Sequence, residues 1–393
     1  MKTKSHIISR IYKLLFSLLF LLCSFFATAQ DYEWDWAVSG GGMAGPTGHQ
    51  TNSEKIYDMK VGSDNNYYFI GTMYGTIGTQ LDGEPVTTYN SSGGGNDIFL
   101  FSTTCDGTVR WSQAIGGKGL MDWAFNLVLD SDNNVYVGAH VEGGSTYSVY
   151  FSPTVSIGPF PADTEAYKRI FLVKYNSDGQ YQGRKALQGN VNNSNNDAQL
   201  LDLFIDDNDI LHFITGLRPG THLDNNVSVP NTITTAQYFL AKYDTNLHYI
   251  NSMLLPIADG TAFPSGIATR FAYDQTLNRY YLTGMRSMSV TGSELIPLIY
   301  DGKAFVERSY ILAFNGTDGS EEWRREIYSE PASPTLYASN QFNSLKIDSN
   351  SNIYIGGSVR KSSNEVNLKS MTLMTRVLTI FSHLVQPMET CHY

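Results

Sequence analysis

The chain has 393 residues, with 27 Lys and Arg against 37 Asp and Glu, for a formal net charge of −10. Nucleic-acid binding rests on cations that neutralise phosphates, and this acidic balance argues against such a partner. With 42% hydrophobic and 13% aromatic residues the chain can fill a sizeable core, and its 35 glycines favour strands and turns.

The first predicted element is a secretory signal, residues 1–29. Lys2, Lys4, Arg10 and Lys13 precede the apolar run LLFSLLFLLCSFF (Leu14–Phe26), and Ala27-Thr28-Ala29 supplies a small-x-small cleavage site before Gln30. The run is shorter than the roughly 20 residues of a membrane span. No later stretch is long and apolar enough to span, and Leu22 before Cys23 argues against a lipid anchor. Cleavage leaves 23 basic and 37 acidic residues, a net charge of −14, in a protein expected outside the cell or at its outer surface. Cys105 and Cys391 remain, too few for a disulfide framework.

A repeat occupies residues 30–370. One motif recurs as VGSDNNYYFIG (Val61–Gly71), LDSDNNVYVG (Leu129–Gly138), IDDNDILHFITG (Ile205–Gly216), YDQTLNRYYLTG (Tyr273–Gly284) and IDSNSNIYIGG (Ile347–Gly357). Its closing glycines, Gly71, Gly138, Gly216, Gly284 and Gly356, are 67, 78, 68 and 72 residues apart. A second motif keeps the same period: DIFLFSTTCDG (Asp97–Gly107), RIFLVKYNSDG (Arg169–Gly179), QYFLAKYDTNL (Gln237–Leu247) and SYILAFNGTDG (Ser309–Gly319). Asp-Gly between β-type runs predicts hairpins with type I′ turns. Trp111 then opens WSQAIGG, which matches WDWAVSGG at Trp34–Gly41. Each unit thus predicts four strands, and the variable stretch between the pairs, such as Ser152–Pro161, reads as a decorated loop. The units fall near residues 34–108, 109–179, 180–246, 247–319 and 320–370, the last incomplete. Four strands per unit of about 70 residues predicts an all-β fold of β-propeller type. Sandwich repeats would need longer units with more strands.

These motifs resemble the SBBP repeat, named for the seven-bladed β-propeller, which occurs in secreted bacterial proteins. The resemblance covers Gln30 to about Leu368. It implies a propeller fold and transfers no catalytic residue. A signal ending in ATAQ is similar to those of the Bacteroidetes, whose proteins of this kind often end in a type IX secretion sorting domain.

Residues 371–393 break the pattern. Thr375–Tyr393 has no glycine and no Asp-Gly turn where the next strand of the FL type (as in DIFLFSTTCDG) is due. Leu378–Tyr393, back-translated with permitted synonymous codons and read one frame on, gives NDIFSLSTTDGNVSL, close to NDIFLFSTTCDGTVRW at Asn96–Trp111. The expectation is a frameshift near Met374–Val377, testable in the coding DNA; the alternative is a natural amphipathic tail.

The chemistry is sparse. Asp130, Asp132 and Asn134, and again Asp348, Asn350 and Asn352, place oxygens at every second position, as a calcium loop does. An EF-hand is excluded because Val135 and Val141 stand where Gly and Glu are required. Turns whose Asp and Asn side chains bond the local backbone explain all five copies, so calcium is the minor alternative. His140 and His212 lie in strands and read as packed. Glu321-Glu322 reads as a solvated strand edge. The glycine-rich Ser39–Gly45 and Gly93–Ile98 open no helix, which argues against phosphate binding. The expected function is a binding or adhesion scaffold without catalysis or cofactor, recognising an extracellular protein or glycan through loops such as Ser145–Tyr167 and Thr221–Thr235. The alternatives are a propeller enzyme acting on polysaccharide through acids in a central pocket, and a truncated non-functional product.

Overall fold

A computed structural model describes residues 36–43, 54–74, 77–89, 95–118, 122–143, 146–159, 168–189, 199–233, 236–258, 269–286, 295–327 and 341–358. The signal segment and the tail expected from the sequence lie outside the described residues. The chain divides into two compact parts, Met1–Ala37 and Val38–Tyr393, and all described strands lie in the second. The fold is all-β, with no helix among the described residues.

The strands follow the repeat. First come β1 (Gly40–Met43), β2 (Lys55–Val61), β3 (Tyr67–Tyr74), β4 (Ile77–Leu81), β5 (Glu84–Pro85), β6 (Asn96–Thr103) and β7 (Val109–Gly117). Next are β8 (Leu127–Leu129), β9 (Val135–His140), β10 (Val149–Ser152), β11 (Val155–Ile157), β12 (Ile170–Tyr175) and β13 (Tyr181–Ala186). The third group is β14 (Gln199–Ile205), β15 (Leu211–Leu217), β16 (Gly220–His222), β17 (Val227–Val229), β18 (Gln237–Tyr243) and β19 (Tyr249–Leu254). The fourth is β20 (Arg270–Asp274), β21 (Arg279–Met285), β22 (Ile299–Tyr300), β23 (Lys303–Ala304), β24 (Ser309–Asn315) and β25 (Glu321–Ile327), and β26 (Gln341–Ile347) and β27 (Ile353–Ser358) complete the set.

Four strands in sequence order make each main sheet: β2-β3-β6-β7, β8-β9-β12-β13, β14-β15-β18-β19 and β20-β21-β24-β25, all antiparallel. β26 and β27 form a two-stranded fifth sheet. The sheets are phased one strand later than the units written from the sequence, because the strand after each hairpin turn pairs with the strand before it.

The period-2 alternation of a strand sends successive side chains to opposite faces, and here both faces are buried. Val135, Val137 and Ala139 of β9 join Phe171, Val173 and Tyr175 of β12 in a core shared with Tyr68, Ile98 and Leu100 of the first sheet. The intervening Tyr136, Ile170 and Leu172 pack instead with Phe213, Phe239 and Tyr243 of the third sheet. Ile214, Tyr238 and Leu240 continue into the fourth sheet through Tyr280, Tyr310 and Leu312. Among the described residues, Ala272, Tyr281, Ile311 and Ala313 meet Leu345 and Ile355 as the buried members from the fifth. Each fully buried Leu, Ile or Phe contributes about 1.5–3 kcal/mol, so the sheet-to-sheet joints hold most of the stability.

Two expectations are corrected. The variable stretches are not plain loops: they contain the hairpins β4–β5, β10–β11, β16–β17 and β22–β23. Each hairpin bonds the end of the preceding sheet's fourth strand. β10 pairs with Gly116 and Gly117 of β7; Leu223 N–H donates to Leu187 O at 3.1 Å, and Asp301 N–H to Pro256 O at 2.8 Å. β1 meets β4 in the same way. At two of these joints a glycine is needed for the approach, since a Cβ on Gly117 would stand 2.3 Å from Ser148 O and one on Gly189 1.5 Å from Thr221 O. The turns, too, are not type I′. Gly107, Gly179 and Gly319 have φ of 86°, 75° and 74°, but the aspartates before them are not left-handed. Thr104, Asn176 and Asp244 each accept a bond from the residue three on and donate to the one four on, a three-residue loop ending in one left-handed residue with a bulge beyond it. Only one position demands positive φ, so the third copy tolerates Leu247 there at φ 63°.

Candidate functional site

The turn after the first strand of the second, third and fifth sheets repeats one backbone hydrogen-bond pattern, whereas in the fourth copy Asp274 Oδ1 accepts Leu277 N–H at 3.1 Å and the left-handed residue is Asn278 with φ 47°. Asp130 Oδ1 accepts the N–H groups of Asp132 (3.0 Å) and Asn134 (2.8 Å), and Oδ2 accepts Asn134 Nδ2–H and Tyr136 O–H, both at 2.8 Å. Asp348 does the same with Asn350, Asn352 and Tyr354. The fourth residue is left-handed: Asn65, Asn133, Asp209 and Ser351 have φ of 60°, 61°, 59° and 61°. In the first copy Gly62 replaces the leading Asp, and Asp64 takes over the bonds to Asn66 and Tyr68. The alternating Asp and Asn therefore serve the turn. Asp132 is exposed, and no three His, Cys, Asp or Glu among the described residues converge on a metal position.

Two of the left-handed residues also reach the preceding repeat. Asn133 Oδ1 accepts Ser63 N–H at 2.9 Å, and Asp209 Oδ1 accepts Ser131 N–H at 3.0 Å. His212 stands where the other copies have tyrosine. It is 1% exposed, with Nε2 at 3.2 Å from Asp206 Oδ2 and Nδ1 at 2.7 Å from Tyr280 Oη of the next repeat. Burial, helped by Lys242 and opposed by Asp206, lowers its pKa to about 4. The neutral ring then donates from Nε2 to Asp206 and accepts from Tyr280. His140 stacks on Trp123 with centroids 4.3 Å apart. Glu321 is not a solvated edge: its side chain is 6% exposed and ion-paired with Arg324 and Lys303, while Glu322 pairs with Arg279. The expected specificity segments are partly taken up by β10–β11 and β16–β17.

β2, β8, β14, β20 and β26 together line one cavity of about 630 Å³. Four residues before the first residue of each turn, counting back from Gly62, Asp130, Asp206, Asp274 and Asp348, stand Asp58, Asn126, Asp202, Arg270 and Ser344. All five line the cavity. Bulges at Ile56/Asp58, Leu200/Leu203 and Phe342/Ser344 re-aim three of these positions. Two of them are clamps between repeats. Asn126 Nδ2–H donates to Leu203 O at 2.6 Å, and Asp202 Oδ2 accepts Phe271 N–H at 2.8 Å. Asp202 Oδ1 also accepts Leu203 N–H at 3.1 Å. Burial raises the Asp202 pKa to about 7 against the pull of Arg270 and these N–H groups. Asp58 is ion-paired with Lys60. Lys346 keeps side-chain surface open to solvent, yet desolvation by the cavity walls, with Lys60 nearby, holds its pKa below the usual lysine range against Asp58 and Asp202. The sequence carries a signal for this set, one polar residue at a fixed offset before each Asp-rich turn, visible only after the five copies are aligned on their turns.

Among known proteins, no family model matches the chain and no curated protein does. A solved crystal structure of an ACO/RPE65 chimera aligns at 7% identity and a TM-score of 0.32, covering 76% of this chain. The chain spans about half the length of that protein, 53%. A likeness at this level carries no argument about fold or function.

Proposed function

We propose that the chain is an exported, non-enzymatic β-propeller of the SBBP-repeat kind, a scaffold that binds an extracellular glycan or protein at the cell surface. The observation that supports this reading is the cavity: the first strands of five successive repeats line it, as the inner strands of blades line a propeller's central channel. Such cavities on rigid scaffolds are the default place for a ligand. Lys60, Lys346 and Arg270 supply cations there, and Asp58 and Asp202 supply carboxylates. The buried carboxylate has both oxygens on backbone N–H groups, which fits a structural clamp better than a general acid awaiting a substrate.

The test is thermal shift of the mature chain against soluble polysaccharide fragments and secreted-protein peptides, with saccharide products assayed in parallel. Binding without turnover, weakened at least about tenfold in Lys60→Ala/Lys346→Ala, is the expected result. Shortened saccharides that vanish in Asp58→Asn would replace this reading with the polysaccharide-cleaving one.

A further inference from the structure

The third hairpin, β16–β17, is fastened to the end of β13 by the bond from Leu223 N–H to Leu187 O. A second bond lies beside it. Gly189 N–H donates to Nδ1 of His222 at 3.1 Å, and Nε2 of the same ring stands 2.7 Å from Arg218 O. These two partners fix the state of the imidazole. A carbonyl only accepts, so Nε2 carries the ring proton; an N–H only donates, so Nδ1 carries none. The fastening therefore requires the neutral ring, in one tautomer.

A second proton has no place there. It would sit on Nδ1 and point at the Gly189 N–H, setting two donors face to face. The ring has no room to turn away. It is 1% exposed, and the chain at Gly189 passes so near that a Cβ there would stand 1.5 Å from Thr221 O and 3.4 Å from His222 Cα. Among the described residues, the charged side chains on the surrounding elements are Arg169 before β12, Arg184 and Lys185 on β13, Arg218 before β16 and Asp224 at the hairpin tip. Lys185 pairs with Asp224 at 2.8 Å, and neither ring nitrogen meets a carboxylate. Burial lowers the pKa of His222, and the Arg218 carbonyl opposes this only in part.

The other hairpins are fastened without a titratable ring. In the first and fourth the donors are Asp82 N–H, to Ser39 O at 2.6 Å, and Asp301 N–H, to Pro256 O at 2.8 Å. The residues before them are Leu81 and Tyr300, both buried, and neither type takes up a proton in mild acid. In the second, β10 pairs with Gly116 and Gly117 along the backbone.

We propose that His222 makes the third fastening acid-labile: uptake of a proton at Nδ1 removes the acceptor of the Gly189 N–H and frees the Gly220–Asp224 end of the hairpin from the second sheet. The sign follows from linkage. The opened ring binds protons more readily than the fastened one, so opening gains as pH falls below about 6.5 and levels off once the fastened ring itself titrates. The device rests on these hydrogen bonds and is independent of any ligand in the cavity.

The experiment uses the mature chain with ¹⁵N-labelled histidine. Proton–nitrogen correlation spectra report the tautomer and titration of each ring, and hydrogen exchange, divided by the intrinsic rate at each pH, reports local opening. His222 should show the Nε2–H tautomer at neutral pH. Exchange at Leu223 and Gly189 should rise several-fold between about pH 6.5 and 5, relative to amides of β18. His222→Gln supplies one donor and one acceptor that do not titrate, and it should hold the fastening with no such rise. An Nδ1–H tautomer, a charged His222 ring while Leu223 stays protected, or the same rise in His222→Gln would each overturn the proposal. Should the glutamine variant fail to fold, the ring spectra and exchange of the unaltered chain still decide.

Discussion

His212 performs a tyrosine's task with a group that can take up a proton. Tyr136 bonds Asp130 and the carbonyl of Thr245 in the next repeat, and His212 likewise joins Asp206 to Tyr280. Because its pKa falls from 6.5 to about 4 on folding, the unfolded chain binds more protons between those values, and stability is lost as pH drops through that window. Asp202 has the opposite sign. Its pKa rises from 3.8 to about 7, so the folded chain holds more protons and stability is lost as pH climbs from about 4 to 7. The two oppose each other, and urea unfolding should separate them. Asp202→Asn is expected to gain stability with rising pH between about 4 and 6.5, whereas His212→Gln should lose it between about 4 and 7. Parallel slopes in the two variants would contradict both assignments. With its four acceptor contacts filled, Asp130 should be indifferent to calcium, so millimolar calcium and excess chelator should give the same melting temperature. A calcium-dependent rise abolished in Asp130→Asn would restore the metal reading. The Asp- and Asn-rich turn was legible because its bonds are local. The bonds of Asn133 to Ser63 and of Asp209 to Ser131 were not, since each partner lies one repeat away and nothing in the local pattern marks it.

At the scale of the element, the aromatic after one hairpin turn and the glycine of the next turn act together. A Cβ on Gly179 would stand 2.4 Å from Trp111 Cδ2, on a residue whose φ is +75°. Gly302 has a similar φ of +70° with nothing within 4 Å of its would-be Cβ. Gly302→Ala should therefore cost about 1–2 kcal/mol, the conformational part alone, and Gly179→Ala about 2 kcal/mol more from overpacking against the indole. Urea titration of the two variants reads the difference, and equal losses would show that the indole contact carries no energy. The Asp-Gly pairs announced hairpins correctly, but the turn type escaped because Asp-Gly suits both a type I′ turn and a type I turn closed by a left-handed glycine. The hairpins inside the variable stretches escaped for another reason. β4–β5, β10–β11, β16–β17 and β22–β23 have strands of two to five residues, too short to show alternation, and they are held by pairing with a neighbouring sheet.

At the scale of the whole molecule, the period of the repeat carried the all-β reading, because each main sheet is built from one stretch of sequence. It carried neither the cavity nor the clamps at Asn126 and Asp202, which exist only between stretches. The joints are unequal. The cores between the first four sheets are filled by third-strand aromatics, and the last is closed by Leu345 and Ile355. Opening free energies follow buried apolar contact, so amides of β26 should exchange well before those of β14, whose sheet is packed on both faces. Equal protection of the two strands would argue for an additional covering. The hairpins that bond the preceding fourth strand have a further consequence. The hairpins of the second, third and fourth repeats bring the fastening to the sheet before, and the residues that receive it, Gly117, Leu187 and Pro256, lie in the sheet already present. Each of these three joints is thus written in two pieces, one on either side. A duplication or deletion of one whole repeat would therefore leave a fastening and a receiving strand end at the new boundary.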